Sequence, residues 1–187
     1  MANAQNVSAA KPKIGGAIYA APVGTSIPTD TDAALDAAFK SLGYVSSDGL
    51  TNTTNIESQK IKAWGGDTVL VIQTSKDDGF KFNLIETLDT EVLKFVYGKG
   101  NVSGDLTTGI AINVSNEDVD EVALVIDMVL RGNTKKRFCI PSCKISAVED
   151  IVYNDEDAIG YNTTLDCTPD TYGNTHYEYI KKSGVSG

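Results

Sequence analysis

Apolar positions along the chain follow two rhythms, and the two-residue rhythm of extended strands dominates. In "GFKFNLIE", Phe80, Phe82 and Leu84 alternate with Lys81 and Asn83, which predicts a strand with one face on a core. "VLVIQT", residues 69–74, is a nearly continuous apolar run and predicts a strand covered on both faces. Further strands are predicted at "TTGIAINV", "EVALVIDMVLRG", "KRFCIPS", "CKISAVEDIV" and "YNTTLDCTP". The helical rhythm is clearest in "ETLDTEVLKFVYG": Thr87 or Asp89 can cap, Leu88, Val92 and Val96 recur at four-residue spacing, and Gly98 ends the run. That segment predicts a helix over about residues 88–97. A second, brief helix is expected in "TSIPTDTDAALDAAF", with Asp30 or Thr31 as cap and Leu35 and Phe39 on one side.

Polar stretches punctuate these elements. Residues 1–13 hold almost no large apolar side chain and read as a flexible N-terminal arm ahead of a single domain over residues 14–187. "SLGYVSSDGLTNTTNIES" is crowded with Ser, Asp, Gly, Thr and Asn, and predicts a long loop over about residues 45–60. In "WGGD", Gly65 and Gly66 suit a two-residue turn between Trp64 and Asp67, leaving Trp64 either to anchor a core at the strand end or to touch a neighbouring molecule. "NVSGDL" and "RGNTKKR" carry further hairpin signals. Runs of short strands between turn residues, with one good helix, predict a mainly β fold: an antiparallel β-sandwich or barrel with one flanking α-helix.

Composition then removes several kinds of chemistry. Sixteen Lys and Arg against twenty-five Asp and Glu give a formal net charge of -9, a field that repels phosphate backbones. No stretch approaches eighteen consecutive apolar residues, and the N-terminus lacks a secretory pattern, so a soluble chain made in the cytosol is expected. Cys139, Cys143 and Cys167 with His176 lack the paired spacing of a structural zinc site and read as strand cysteines. "GKGNVSG" follows a helix instead of joining a strand to one, so it is a cap and loop, not a phosphate cradle. "NEDVDE", residues 116–121, lacks the glycine and spacing of a calcium loop. No catalytic, cofactor-binding or metal-binding residue is assigned.

Several of these segments together carry a family likeness. "KIGGAIYAAPVGTSIPT", "ALDAAFKSLGYVSSDGLTNTTNIES", "IKAWGGDTVLVIQT" and "FKFNLIETLDTEVLKFVYG" resemble, in order and spacing, the tail tube (major tail) proteins of bacteriophages with long non-contractile tails. The likeness is close over residues 11–100 and general in the remaining strands. It implies a non-enzymatic virion subunit, assembled in the host bacterial cytoplasm into hexameric rings that stack as a hollow tube. Genome DNA would pass through the lumen without specific binding. Tape measure, tail terminator and tail tip proteins would be its other partners, and no membrane is involved.

Stacking needs an open-ended interface in addition to the ring contact. The two polar segments are the candidates for it: Lys11, Pro12, Lys13 and Ile14 in the arm, and Asp48, Gly49, Leu50, Thr51 and Asn52 in the predicted loop. Asp118, Asp120, Glu121 and Asp127 are candidates for an acidic lumen wall, or else ordinary outer-surface carboxylates. The alternative function is a β-sandwich adhesion or decoration module. Such a module would display exposed aromatics, for which only "TYGNTHYEYI" offers a cluster; its other reading is an edge strand with Tyr177 and Tyr179 packed on one face.

Overall fold

The computed structural model describes residues 1–182. Eleven strands and one α-helix are found among them: β1 (Lys11–Pro12), β2 (Ile18–Pro22), β3 (Lys40–Ser41), β4 (Val45–Lys62), β5 (Thr68–Leu84), α1 (Thr90–Tyr97), β6 (Val102–Ser103), β7 (Ala111–Ile112), β8 (Val122–Leu130), β9 (Thr134–Val148), β10 (Tyr161–Cys167) and β11 (Tyr177–Lys182). The fold is mainly antiparallel β, 47% strand and 9% helical, as the residue rhythm predicts. Its large sheet is not closed into a barrel.

Strand order in that sheet is β3-β2-β8-β9-β10-β5-β4. Two long strands serve as its spine, each pairing with two shorter ones laid end to end. Along one edge of β8 lie β1, opposite Met128 and Val129, and β2, opposite Val122–Ile126. Along one edge of β9 lie β11, opposite Thr134–Cys139, and β10, opposite Cys143–Val148. The two strands expected at "KRFCIPS" and "CKISAVEDIV" are therefore one, β9. Its irregularity lies where Ile140 faces Leu124 but Cys143 faces Val122, and Pro141, which has no N–H to give a ladder, sits there.

Both faces of β8 are buried. Leu124 and Ile126 join a large apolar cluster with Ile18, Leu42, Phe80, Phe82, Leu84, Phe138, Ile140 and Leu165. Helix α1 covers this cluster with Val92, Leu93, Phe95 and Val96, and Phe82 stacks on Phe95 at 6.3 Å. The Asp89 carboxylate caps the helix by accepting from Glu91 N at 2.8 Å, and Gly98 N–H returns to Lys94 O. Leu88, expected on the buried stripe, precedes the cap and is exposed. On the opposite sheet face Ala123, Val125, Cys139, Ala21 and Phe39 form a second cluster, and Tyr177 and Tyr179 of β11 pack against it as an edge strand.

The brief helix expected after Asp30 does not form. Asp30 Oδ1 takes the N–H groups of Asp32 and Ala33 at 2.7 and 2.5 Å, and Asp36 takes that of Ala38 at 2.9 Å, so side chains replace the helical acceptors. The carbonyls of Asp30 and Ala33, which a helix would use, instead accept from Arg137 Nη1 at 3.0 and 2.8 Å. Arg137 also makes a two-pronged pair with Asp127, at 2.6 and 2.9 Å, and both side chains are buried. Removing one member of a buried, hydrogen-bonded ion pair strands the other charge. Arg137→Ala is expected to cost about 3–5 kcal/mol of subunit stability, measured by chemical denaturation; a loss within the error of the fit would contradict this account.

Candidate assembly surface

Residues 45–60 do not form a loop. They belong to β4, which pairs with β5 from Val45↔Leu84 to Lys62↔Thr68. Thr, Asn and Ser suggest turns when read singly, but here Thr and Ile recur along a segment whose partner is the apolar run that follows the bend. The inner part of this hairpin is integrated in the sheet, since β10 pairs with β5 at Gly79–Leu84. Beyond Gly79, β5 has no second neighbour among the described residues, and the hairpin continues outward as a two-stranded arm over residues 54–78. From Thr54 to Lys62 such an arm reaches about 30 Å.

Apart from half-buried Ser75 and buried Asp78 near its base, its side chains are exposed on both faces. Ile61 lies directly opposite Leu70, with Ile72 on the same face, while Val71 opposes Lys60 on the other. Leu70 is 51% exposed and Val69 62%, so "VLVIQT" is not the doubly covered strand its composition predicts. At the tip, Gly66 N donates to Ala63 O at 3.0 Å and Ala63 N to Asp67 O at 2.8 Å. The four-residue turn is thus centred on Trp64 and Gly65 and not on the two glycines, although both glycines have φ above +100°. Trp64 is fully exposed at the apex and anchors no core in its own subunit.

Where the arm leaves the sheet, one carboxylate gathers several donors. Asp78 is buried and accepts from Thr54 Oγ1 and Thr175 Oγ1, both at 2.5 Å, with Lys76 Nζ at 3.5 Å. Thr175 precedes β11, so the contact joins both arm strands to the chain beyond β10. His176 beside it lies edge-on to Phe80 at 5.4 Å. Next to Asp78, Gly79 passes so close to β10 that a Cβ would lie 2.8 Å from Leu165 O. Sequence reading missed Thr54, Asp78 and Thr175, because nothing in their spacing announces that they meet.

The other proposed contact residues fall in three settings. Lys11 and Pro12 are strand β1, Lys13 N donates to Asp127 O at 3.2 Å and its Nζ pairs with Asp127 at 3.3 Å, so this part of the arm is docked on its own chain. Ile14 is fully exposed. Asp48 and Gly49 occupy the bulge between Val45 and Leu50, Leu50 packs against the main cluster, and Thr51 and Asn52 are paired with Lys81 and Phe80. Asn52 also donates to Gly79 O at 3.1 Å.

The acidic candidates separate in the same way. Asp118 is exposed and pairs with Lys144 at 2.9 Å, Asp120 is exposed, and Glu121 accepts from Ser142 at 2.9 Å. Asp127 is 6% exposed and held by Arg137, so it is a structural carboxylate and no wall residue. Between β2 and α1 runs an apolar groove of about 680 Å³, lined in part by Pro22, Val23, Leu42, Phe95, Val119 and Val122.

Burial raises the Asp78 carboxyl, but the Thr175 and Thr54 hydroxyls and Lys76 outweigh it and hold the group below the ordinary 3.8. A folded value below the unfolded one means a contribution fully present above pH 3.8 and lost as pH falls through the folded value. Carboxyl-carbon NMR titration of the subunit is expected to give Asp78 a midpoint under 3.8; one at or above it would contradict the described hydrogen bonds.

None of the described helices is long and apolar enough to cross a membrane. A search of curated proteins finds no match. A sequence profile described as phage tail tube protein matches residues 2–185, nearly the whole chain. The chain therefore belongs to the phage tail tube protein family, a structural and not an enzymatic family of the virion.

Proposed function

We propose that this subunit closes into hexameric rings that stack as the tube of a long non-contractile tail, assembled in the host cytoplasm, and that genome DNA is delivered through the lumen. Tape measure, tail terminator and tail tip proteins are its partners at the ends of the tube. The observation that carries this reading is the β4–β5 arm. An isolated two-stranded ribbon is marginally stable in water, and one that exposes Ile61, Val69, Leu70, Val71 and Ile72 leaves apolar area that another surface must cover. In a family of self-assembling tubes that surface is a second copy of the chain. A head-to-tail contact of this kind is heterologous and can close a ring or propagate a stack.

Residues 1–10, Ile14 and the arm with Trp64, Gly65, Gly66 and Asp67 then supply contacts to neighbouring rings, while Asp48, Gly49, Leu50, Thr51 and Asn52 set the arm's base. Asp118, Asp120 and Glu121 are the carboxylates left for the lumen wall, where negative charge keeps phosphates from binding. Packing of Tyr177 and Tyr179 within the subunit weighs against an adhesion module with an aromatic ligand patch.

Replacing residues 56–74 by a short glycine-containing turn, or removing residues 1–9, is expected to leave the circular dichroism of a folded β protein and to abolish tubes in electron micrographs. Unaltered tubes would contradict the assignment. Trp64 is the single tryptophan, which makes assembly readable directly. Its emission should be solvent-like and freely quenched by acrylamide in the free subunit, then blue-shifted and shielded in tubes; identical quenching in both states would place the arm's tip outside every interface.

A further inference from the structure

The three cysteines are free thiols, and two of them face each other across a strand pair. Cys143 of β9 is the register partner of Cys167 of β10. The next pair outward, Ser142 and Thr168, is hydrogen-bonded: Thr168 N donates to Ser142 O at 3.0 Å. Bonded and non-bonded pairs alternate along an antiparallel ladder, so Cys143 and Cys167 occupy a non-hydrogen-bonded site. Opposed Cα atoms there are about 4.5 Å apart with side chains on the same face, inside the span of about 4.4–6.8 Å that a disulfide bridges.

From this geometry we infer that Cys143 and Cys167 are a latent cross-strand disulfide site, closed by a small-molecule disulfide such as oxidised glutathione. The position of Cys139 makes the pairing selective. It stands between Val125 and Tyr177 in the ladder and packs in the cluster on the opposite sheet face. Of the facing pair, Cys167 is the more accessible, half-buried where Cys143 is fully buried.

The chemistry balances in two exchanges. The Cys167 thiolate attacks one sulfur of the oxidant, expelling one thiolate and leaving a mixed disulfide. The Cys143 thiolate then attacks the Cys167 sulfur, forming the Cys143–Cys167 bond and expelling the second thiolate. Both cysteine protons end on the two released thiols, and the oxidant takes up the two electrons. Cys143 gives up only a weak contact, its thiol to Val122 O at 3.4 Å. Burial pushes the Cys167 thiol up to about 12, so closure is slow at neutral pH and quickens as pH rises.

The bond would matter because of where it lies. Strand β10 is the one element that links the arm-bearing β5 to β9 in the sheet order. A virion component spends its infectious life outside cells, where disulfides persist.

Incubating the folded subunit with oxidised glutathione at mildly alkaline pH tests this. Thiol titration after denaturation is expected to fall from three to one, peptide mapping to find Cys143 joined to Cys167, and the thermal midpoint to rise until dithiothreitol restores it. The Cys139→Ala variant should form the same link, and Cys143→Ser should stop at a glutathione adduct on Cys167. Three thiols remaining, a wild-type adduct that never resolves, a link through Cys139, or an unmoved midpoint would each overturn the inference.

Discussion

One guanidinium holds the body of this subunit together. Arg137 reaches across from β9 to Asp127 on β8 and to the carbonyls of Asp30 and Ala33, while Asp127 receives Lys13, just past the chain's first strand. Four separate stretches thereby converge on a single buried charge pair. A planar fork with five donors is the side chain able to serve a carboxylate and two carbonyls at once, and the desolvation it suffers is tolerable because nearly every donor is matched. The irregular segment from Thr25 to Phe39 owes its non-helical course to this contact. The apolar cluster beneath it, with Phe39 and Val125, stays closed because that segment is pinned.

Outside that body the balance of forces reverses. Within the sheet, apolar side chains of β5 from Phe80 to Leu84 are buried under α1; eight residues earlier on the same strand, Ile72 and its neighbours stand in water. The change occurs at Asp78 and Gly79, where a polar knot and a missing side chain replace packing. Rigid below and unsupported above, the strand passes from a domain core to an apolar ribbon that no other part of the described chain covers.

How much of this could be read beforehand depended on range. Phe80, Phe82 and Leu84 announced their strand because alternation is local, and Asp89 with Gly98 bounded α1 because caps act within a turn. The arm was hidden because exposure is not written in composition. "VLVIQT" is equally apolar whether a sheet or another molecule covers it, and "LTNTTNIES" looks like a loop until its partner across the bend is known. Asp127 shows the same limit: the Arg137 opposite it, ten residues along, turned an apparent wall carboxylate into a buried one. The knot of Thr54, Asp78 and Thr175 joins residues up to 121 positions apart, and no local pattern encodes it.

The ladder between β4 and β5 also carries a metric consequence. Each further pair of residues lengthens the ribbon by a fixed increment and turns the next side chains over, so Ile61 and Leu70 keep their facing only if both strands grow together and by even numbers. Reach is therefore graduated in steps of about 7 Å. A lineage could change the ribbon's reach only by such notches, or by adding bulges like the ones already interrupting this hairpin. The ribbon is in effect a ruler whose divisions are set by backbone geometry.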